Sequence, residues 1–127
     1  MMIIGIGVDI VEIERIERVL ARRGRFLERV YTPEEVAQCL KKAQPAASLA
    51  ARFAAKEAVF KALGGGWGLG WRSVAITAGE EGTPQVHLQG AAAIRSLEIG
   101  VKEVKVSLTH SKNTACAVAV ALGGLPV

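Results

Sequence analysis

Cysteine is scarce in this chain of 127 residues, with only Cys39 and Cys116. Two cysteines build no disulfide framework and supply too few thiolates for a structural zinc site, so both are expected as reduced thiols of the core. Aromatic residues are also few, at 5%, which leaves the core to Val, Ile, Leu and Ala. No apolar run approaches the ~20 residues of a membrane-spanning helix. The opening Met1-Met2-Ile3-Ile4-Gly5-Ile6-Gly7-Val8-Asp9 has no basic stretch ahead of its apolar one and is not read as a signal peptide. A cytoplasmic chain with no membrane partner is therefore expected. No sign of charge dominates: 16 Lys and Arg against 12 Asp and Glu give +4. That balance mildly favours an anionic partner without choosing among nucleic acid, acidic protein and phosphate ligands. With 50% apolar residues, the composition is that of one folded domain, expected over 1–124 with 125–127 as a tail.

Ile4, Ile6 and Val8 alternate with Gly5 and Gly7, which predicts a strand over 3–8 with one apolar face and one of bare backbone. Glycine within a strand marks close approach by a backbone or a ligand, and Asp9 is expected to end the strand on that face. From Ile13 to Val30 the apolar spacing becomes helical, with a break or kink at Gly24. The same stretch carries Arg15, Arg18, Arg22, Arg23, Arg25 and Arg29. Thr32-Pro33-Glu34-Glu35 reads as an N-cap, a proline at the first helical position and a capping-box glutamate, opening a short helix to about Lys42. A helix over 46–63 follows, then strands at 73–78 and 85–88, a helix over 91–99, and strands at 103–109 and 115–122. This order predicts an α+β fold with a mostly antiparallel sheet packed against a long buried helix.

That long helix is the most informative segment. At about 100° per residue, Leu49, Phe53, Val59, Phe60 and Leu63 form one apolar arc, and the opposite side is Ala51, Ala54, Ala55, Ala58 and Ala62. A helix apolar or small all round is a buried one, so its charges need a reason. Arg52 and Lys56 project within the large-residue arc, and Glu57 and Lys61 sit together at its edge. One reading is structural, with a Glu57–Lys61 pair at i,i+4 and Arg52 and Lys56 snorkelling to solvent. The other is ligand binding. The helix ends in Gly64-Gly65-Gly66-Trp67-Gly68-Leu69-Gly70, more glycine than a cap requires, which reads as a mobile or closely approached loop.

Gly5-Ile6-Gly7 lacks the third glycine and the strand–turn–helix order of a dinucleotide fingerprint, and no Gly-Lys-Ser/Thr closes the later glycine loop. What stays is a complementary set. Asp9 and Glu57, with water, suit a hard cation such as magnesium, which also takes phosphate oxygens. Lys61, one turn after Glu57, would neutralise charge on the same phosphate. His110 shares the strand face of Val104, Val106 and Leu108 and reads, on spacing, as a hydrogen-bonded structural histidine. These residues point to a metal and an anionic ligand, and to no particular reaction.

Three segments together resemble a known family. Gly5-Ile6-Gly7-Val8-Asp9-Ile10-Val11-Glu12, with Arg15 one turn on, resembles the opening motif of the holo-acyl-carrier-protein synthases, the short 4′-phosphopantetheinyl transferases. Arg52-Phe53-Ala54-Ala55-Lys56-Glu57-Ala58-Val59-Phe60-Lys61-Ala62 is similar to their second signature. Val106-Ser107-Leu108-Thr109-His110-Ser111-Lys112, followed by Ala115, is similar to their third. The blocks follow the family's order and spacing across nearly the whole chain.

The resemblance implies transfer of the 4′-phosphopantetheine arm of coenzyme A to a serine of apo acyl carrier protein, with release of 3′,5′-ADP, in support of fatty-acid synthesis. It implies magnesium at Asp9 and Glu57, and Lys61 stabilising charge or protonating the leaving oxygen. Glu57 and Glu35 are the side-chain candidates to accept the serine proton, beside a water held by the metal, and Glu35 equally fits a capping box. Arg52, Lys56, Gly64, Gly65, Gly66, His110 and Ser111 would surround the nucleotide end of coenzyme A. Gly65 stands where the family often has threonine. Arg15, Arg18, Arg22, Arg25 and Phe26 would dock the acidic carrier protein, a solvated charged face being the alternative. Nucleic acid is not expected, because only Phe26 and Tyr31 lie among the arginines as stacking residues. The family further implies a homotrimer with sites between subunits, and the alanine side of the long helix would pack either within a subunit or against a neighbour. The rival readings are a coenzyme A-binding module without turnover and a basic protein-docking domain.

Overall fold

The computed structural model describes residues 1–22 and 24–124, so the expected tail at 125–127 lies outside the described residues. The elements are β1 (Met2–Glu12), α1 (Ile13–Ala21), α2 (Phe26–Val30), α3 (Pro33–Leu40), α4 (Pro45–Leu63), β2 (Val74–Ala78), β3 (Pro84–Leu88), α5 (Gly90–Glu98), β4 (Val101–His110) and β5 (Thr114–Gly123). Short 3-10 turns cover Gly66–Leu69, Trp71–Ser73 and Glu80–Gly82. The strands divide between two antiparallel sheets, one ordered β1-β5-β4 and one pairing β2 with β3. The α+β expectation holds. The single arginine-rich helix becomes two, because α1 stops at Ala21 and α2 opens only at Phe26. Among the described residues, no helix is long and apolar enough to cross a membrane.

The centre of the fold is a contact between small residues. A Cβ at Gly5 would overlap the carbonyl oxygen of Ala62, and one at Gly7 that of Ala58. The bare face of β1 therefore lies directly on α4, which is the close backbone approach that strand glycines permit. Beside it, Ala115, Ala117, Ala119 and Ala121 of β5 are all buried on the same side. The alanine side of α4 is thus spent within the subunit. Adding even one methyl at Gly7 forces the helix off the sheet, and close-packed interiors do not absorb such a shift cheaply.

This contact reverses what a strand of alternating Ile and Gly suggests at first sight. With the glycine face turned inward, strand alternation sends Ile6 (65% exposed), Val8 (58%) and Ile10 (68%) outward. In register with them on β5 are Val120, Val118 and Cys116, the last half-buried on the outer face, while Cys39 is fully buried in the core. One apolar sheet face is left uncovered by the described residues.

Candidate functional site

β1 runs on to Glu12, so Asp9 does not end the strand but sits within it, paired with Ala117. Strand alternation puts Asp9 next after Gly5 and Gly7 on the side that meets α4. There Lys61 Nζ donates to the carbonyl of Val8 at 2.8 Å and lies 3.2 Å from Asp9 Oδ1. Lys61 therefore pairs across to β1, in place of the i,i+4 pair with Glu57. Asp9's side chain is only 14% exposed against 54% for Lys61, and its Oδ2 is buried without a hydrogen-bond partner among the described residues. Burial pushes the Glu57 carboxyl above the usual glutamate range and the charge of Asp9 adds to this, while Lys61 and Arg15 oppose it. Asp9, Glu57, Lys61 and Arg15 thus share one electrostatic neighbourhood. An unpartnered buried carboxylate oxygen beside a second, reluctantly ionised carboxylate is a donor set that fits a hard cation. Among the described residues no three His, Cys, Asp or Glu side chains gather to hold an ion. Two carboxylates leave coordination positions for water and phosphate oxygens, as magnesium uses them.

The other charges of α4 have a different fate. β2 pairs with β3 on one edge, and its second edge is satisfied by side chains rather than by a strand. Lys56 donates to Val74 O, and Glu35 Oε2 accepts from Ile76 N at 2.8 Å. Arg52 donates to Ile76 O at 2.8 Å, and Gln38 Oε1 accepts from Ala78 N at 2.9 Å. An exposed strand edge invites wrong pairing, and here α3 and α4 close it with polar groups. The same groups bond one another: Lys56 Nζ lies 2.8 Å from Glu35 Oε1 with both side chains fully buried, and it donates to Trp71 O at 3.1 Å. Lys56 also lies 5.7 Å from the centroid of the Tyr31 ring, whose hydroxyl donates to Leu49 O at 2.8 Å. Desolvation lowers the Lys56 pKa and the Glu35 carboxylate opposes the drop.

One expectation is corrected by this network. Lys56 does not snorkel to solvent, because its ammonium is enclosed by a carboxylate and two carbonyls. Glu35, the other carboxylate considered for the serine proton, is fully buried in the same network. It completes the capping box, accepting from Thr32 N at 2.8 Å while Thr32 Oγ1 accepts from Glu35 N, and its oxygens are otherwise spent on Lys56 and Ile76. At about 100° per residue, Lys56 and Lys61 point about 140° apart on α4, so the Glu35 pair and the Asp9 cluster face different sides.

Arg52 is buried yet borders a cavity of about 570 Å³, together with Lys42, Ser48, Thr77, Pro84 and His110. His110 is exposed and borders this cavity, and its Nδ1 lies 3.3 Å from Ser111 O. Ser111 turns the β4–β5 connection through its N–H to Thr114 O at 2.8 Å. Gly64, Gly65 and Gly66 all have positive φ, at 71°, 97° and 56°, so the loop after α4 needs glycine for its conformation. Arg95 Nε caps the helix end there by donating to Leu63 O at 2.9 Å. Sequence reasoning missed Gln38, Lys42 and Thr77. Gln38 had one legible signal, since it lies one turn after Glu35 and shares its helix face.

Arg15, Arg18, Arg22 and Arg25 are exposed. Arg18 keeps only a loose contact with Glu14 at 3.8 Å. Phe26 is half-buried, with its ring 5.9 Å from Tyr31 and 6.0 Å from Phe53. It helps wall an apolar cavity of about 540 Å³ with Val19, Leu20, Leu27, Val36 and Arg22. An apolar recess bordered by Arg22, Arg72 and Glu28, on a chain that also exposes Arg15, Arg18 and Arg25, is a surface suited to an acidic protein partner.

The sequence pattern described as the 4′-phosphopantetheinyl transferase superfamily matches residues 5–119. A holo-[acyl-carrier-protein] synthase of Moorella thermoacetica is 53% identical over 114 residues, 89% of each chain. Among solved structures, the holo-[acyl-carrier-protein] synthase of Neisseria meningitidis superposes with a TM-score of 0.85 at 36% identity, covering 95% of this chain and 99% of that one. The Helicobacter pylori synthase, solved in complex with coenzyme A, gives 0.81 at 32% identity over 92% and 99%.

Proposed function

Because the chain belongs to the 4′-phosphopantetheinyl transferase superfamily, and to the holo-acyl-carrier-protein synthases within it, we propose that it moves the phosphopantetheine arm of coenzyme A onto a serine of apo acyl carrier protein, in service of fatty-acid synthesis. The observation that carries the site is the buried, unpartnered Oδ2 of Asp9 beside Lys61 and Glu57. Asp9 and Glu57 would hold magnesium. When bound, that ion neutralises charge on the coenzyme A diphosphate and polarises the phosphorus under attack.

In the reaction the serine oxygen bonds to the phosphorus that bears pantetheine, and the bond from that phosphorus to the oxygen of the departing 3′,5′-ADP breaks. Lys61, half-exposed and held among the described residues by Asp9 and one carbonyl, can swing toward the charge that develops on the leaving phosphate. With Glu35 closed in the β2 edge, Glu57 is the side chain left to take the serine proton. Arg52, His110 and Ser111, with the Gly64–Gly66 loop, receive the nucleotide end. The exposed Arg15, Arg18, Arg22 and Arg25, with the recess beside Phe26, receive the carrier protein.

The outward strip of Ile6, Val8, Ile10 and Val118 supports self-association, since apolar faces of this kind on a small chain mark contact surfaces, and the assembly we propose is a homotrimer. The sites would then lie between neighbouring subunits of a cytoplasmic assembly.

Intact mass of apo acyl carrier protein after incubation with the chain, coenzyme A and magnesium tests the reading. A gain of one phosphopantetheine, abolished by EDTA and requiring more carrier protein in Arg15→Glu and Arg22→Glu variants, is expected. No gain across several carrier proteins would leave a coenzyme A-binding module instead. Native mass of the enzyme should show three copies, and a monomer at assay concentration would refute the assembly.

A further inference from the structure

We propose that Gln38 is a positioning residue for the nucleotide end of coenzyme A, acting by locking the guanidinium of Arg52 onto the cavity wall. The inference rests on the reading of that cavity as the nucleotide site. Arg52 Nη1 carries two protons, and both are used: one goes to Gln38 Oε1 at 2.9 Å and one to Ile76 O at 2.8 Å. Gln38 is itself tied to the backbone of β2, accepting from Ala78 N at 2.9 Å and reaching Ala78 O at 3.5 Å. Because the guanidinium is planar, two fixed bonds at one nitrogen set the orientation of the whole group. Nε and Nη2 stand outside those bonds, on a residue that borders the cavity with Lys42 and His110.

The choice of an amide has a physical reason. A carboxylate at position 38 would also accept from the arginine but cancel its charge toward an incoming anion. Gln38 accepts the same hydrogen bond and leaves the charge available. Coenzyme A carries a diphosphate and, separately, a 3′-phosphate on its ribose. With the diphosphate at Asp9, Glu57 and Lys61 of one subunit, the 3′-phosphate is the group left for a wall of the neighbouring subunit bearing its own copies of Arg52 and Lys42, since the two clusters lie on different sides of α4 within one chain. An arginine already ordered by Gln38 loses less freedom when that phosphate binds.

The test is the ratio of kcat/KM for coenzyme A to kcat/KM for 3′-dephospho-coenzyme A. Arg52→Met should lower this ratio, and Gln38→Met should lower it about tenfold, part of one charge-assisted hydrogen bond. In the Arg52→Met background Gln38→Met should add nothing, since it acts through the arginine. Gln38→Glu, which keeps the acceptor for Arg52 and Ala78 N and gives up only the long contact to Ala78 O, should also lower the ratio, whereas a merely structural role predicts that it does not. A ratio unmoved by either Gln38 variant while Arg52→Met shifts it overturns the proposal. A ratio unmoved by Arg52→Met as well removes the cavity reading and the proposal with it, while the mass-gain assay is judged independently.

Discussion

Lys56 and Lys61 stand five positions apart on α4, and each meets one carboxylate and backbone carbonyl oxygen. Lys56 is fully enclosed, with Glu35 at 2.8 Å and the carbonyls of Trp71 and Val74 as further acceptors. Its partner Glu35 is equally saturated, by Thr32 N and Ile76 N. Lys61 is more than half exposed, its contact with Asp9 is longer at 3.2 Å, and the second oxygen of Asp9 has no partner. The same residue types thus build one closed assembly and one open one. The closed assembly terminates a strand edge and has no capacity left for a ligand. The open one keeps a buried oxygen, a mobile ammonium and a carboxylate that ionises reluctantly, which is what a site for a cation and a phosphate needs. Counting charges on a helix does not separate the two cases; counting unsatisfied atoms does.

The sharpest way to break this comparison is to disable each side and ask what fails. Glu57→Gln should lower transfer by about 10²–10³-fold while leaving the folded structure intact by circular dichroism. A variant that transferred at the parent rate would remove Glu57 from the site. Lys56→Met should do the opposite. It leaves Glu35 as a buried, uncompensated charge, so stability should fall by about 3–5 kcal/mol, read from urea denaturation. Turnover per folded molecule should stay within about threefold. Should Lys56→Met lose turnover instead of stability, the closed assembly would not be structural. The smallest expected effect concerns pH. Glu57 has its folded pKa raised by burial and by Asp9. The folded chain therefore holds that proton more tightly than the unfolded chain, and this stabilisation is lost as pH rises through the raised value. Glu57→Gln mimics the protonated form. In EDTA its Tm should exceed the parent's by about 1–3 °C near pH ~8, and the two should converge below pH ~4. A gap independent of pH would mean that Glu57 bears no strain of ionisation.

Much of the fold was legible because it rests on local signals. The capping box at Thr32, Pro33 and Glu35, the alanine side of 46–63 and the alternation in 103–109 are each readable within a few residues, and each forms. Gly5 and Gly7 announced a close approach, though only the fold reveals that α4 makes it. Asp9, Glu57 and Lys61 were singled out as chemistry-bearing residues, and they gather at one place. Glu35 and Lys56 were not separable from them in sequence. Glu35 lies 41 positions from Ile76, and no periodicity reveals that a carboxylate from one helix will cap a distant strand's edge. Lys42 and Thr77 were missed for a related reason, since nothing local distinguishes a polar residue that borders a cavity from one that faces water, and the partners of Gln38 at Ala78 lie 40 positions away.

The amino-acid sequence by itself determined the element types and their order, the burial of α4, and a short set of charged residues with no place on a buried helix. These follow from periodicity, capping and composition, which act over one or two turns of chain. Only the tertiary structure decided which of those charges are satisfied. Whether a buried lysine finds a carboxylate, or a carboxylate oxygen is left alone, depends on the packing of segments distant in sequence. The desolvation of an unpaired polar atom is set by that packing and by nothing within the segment that carries it.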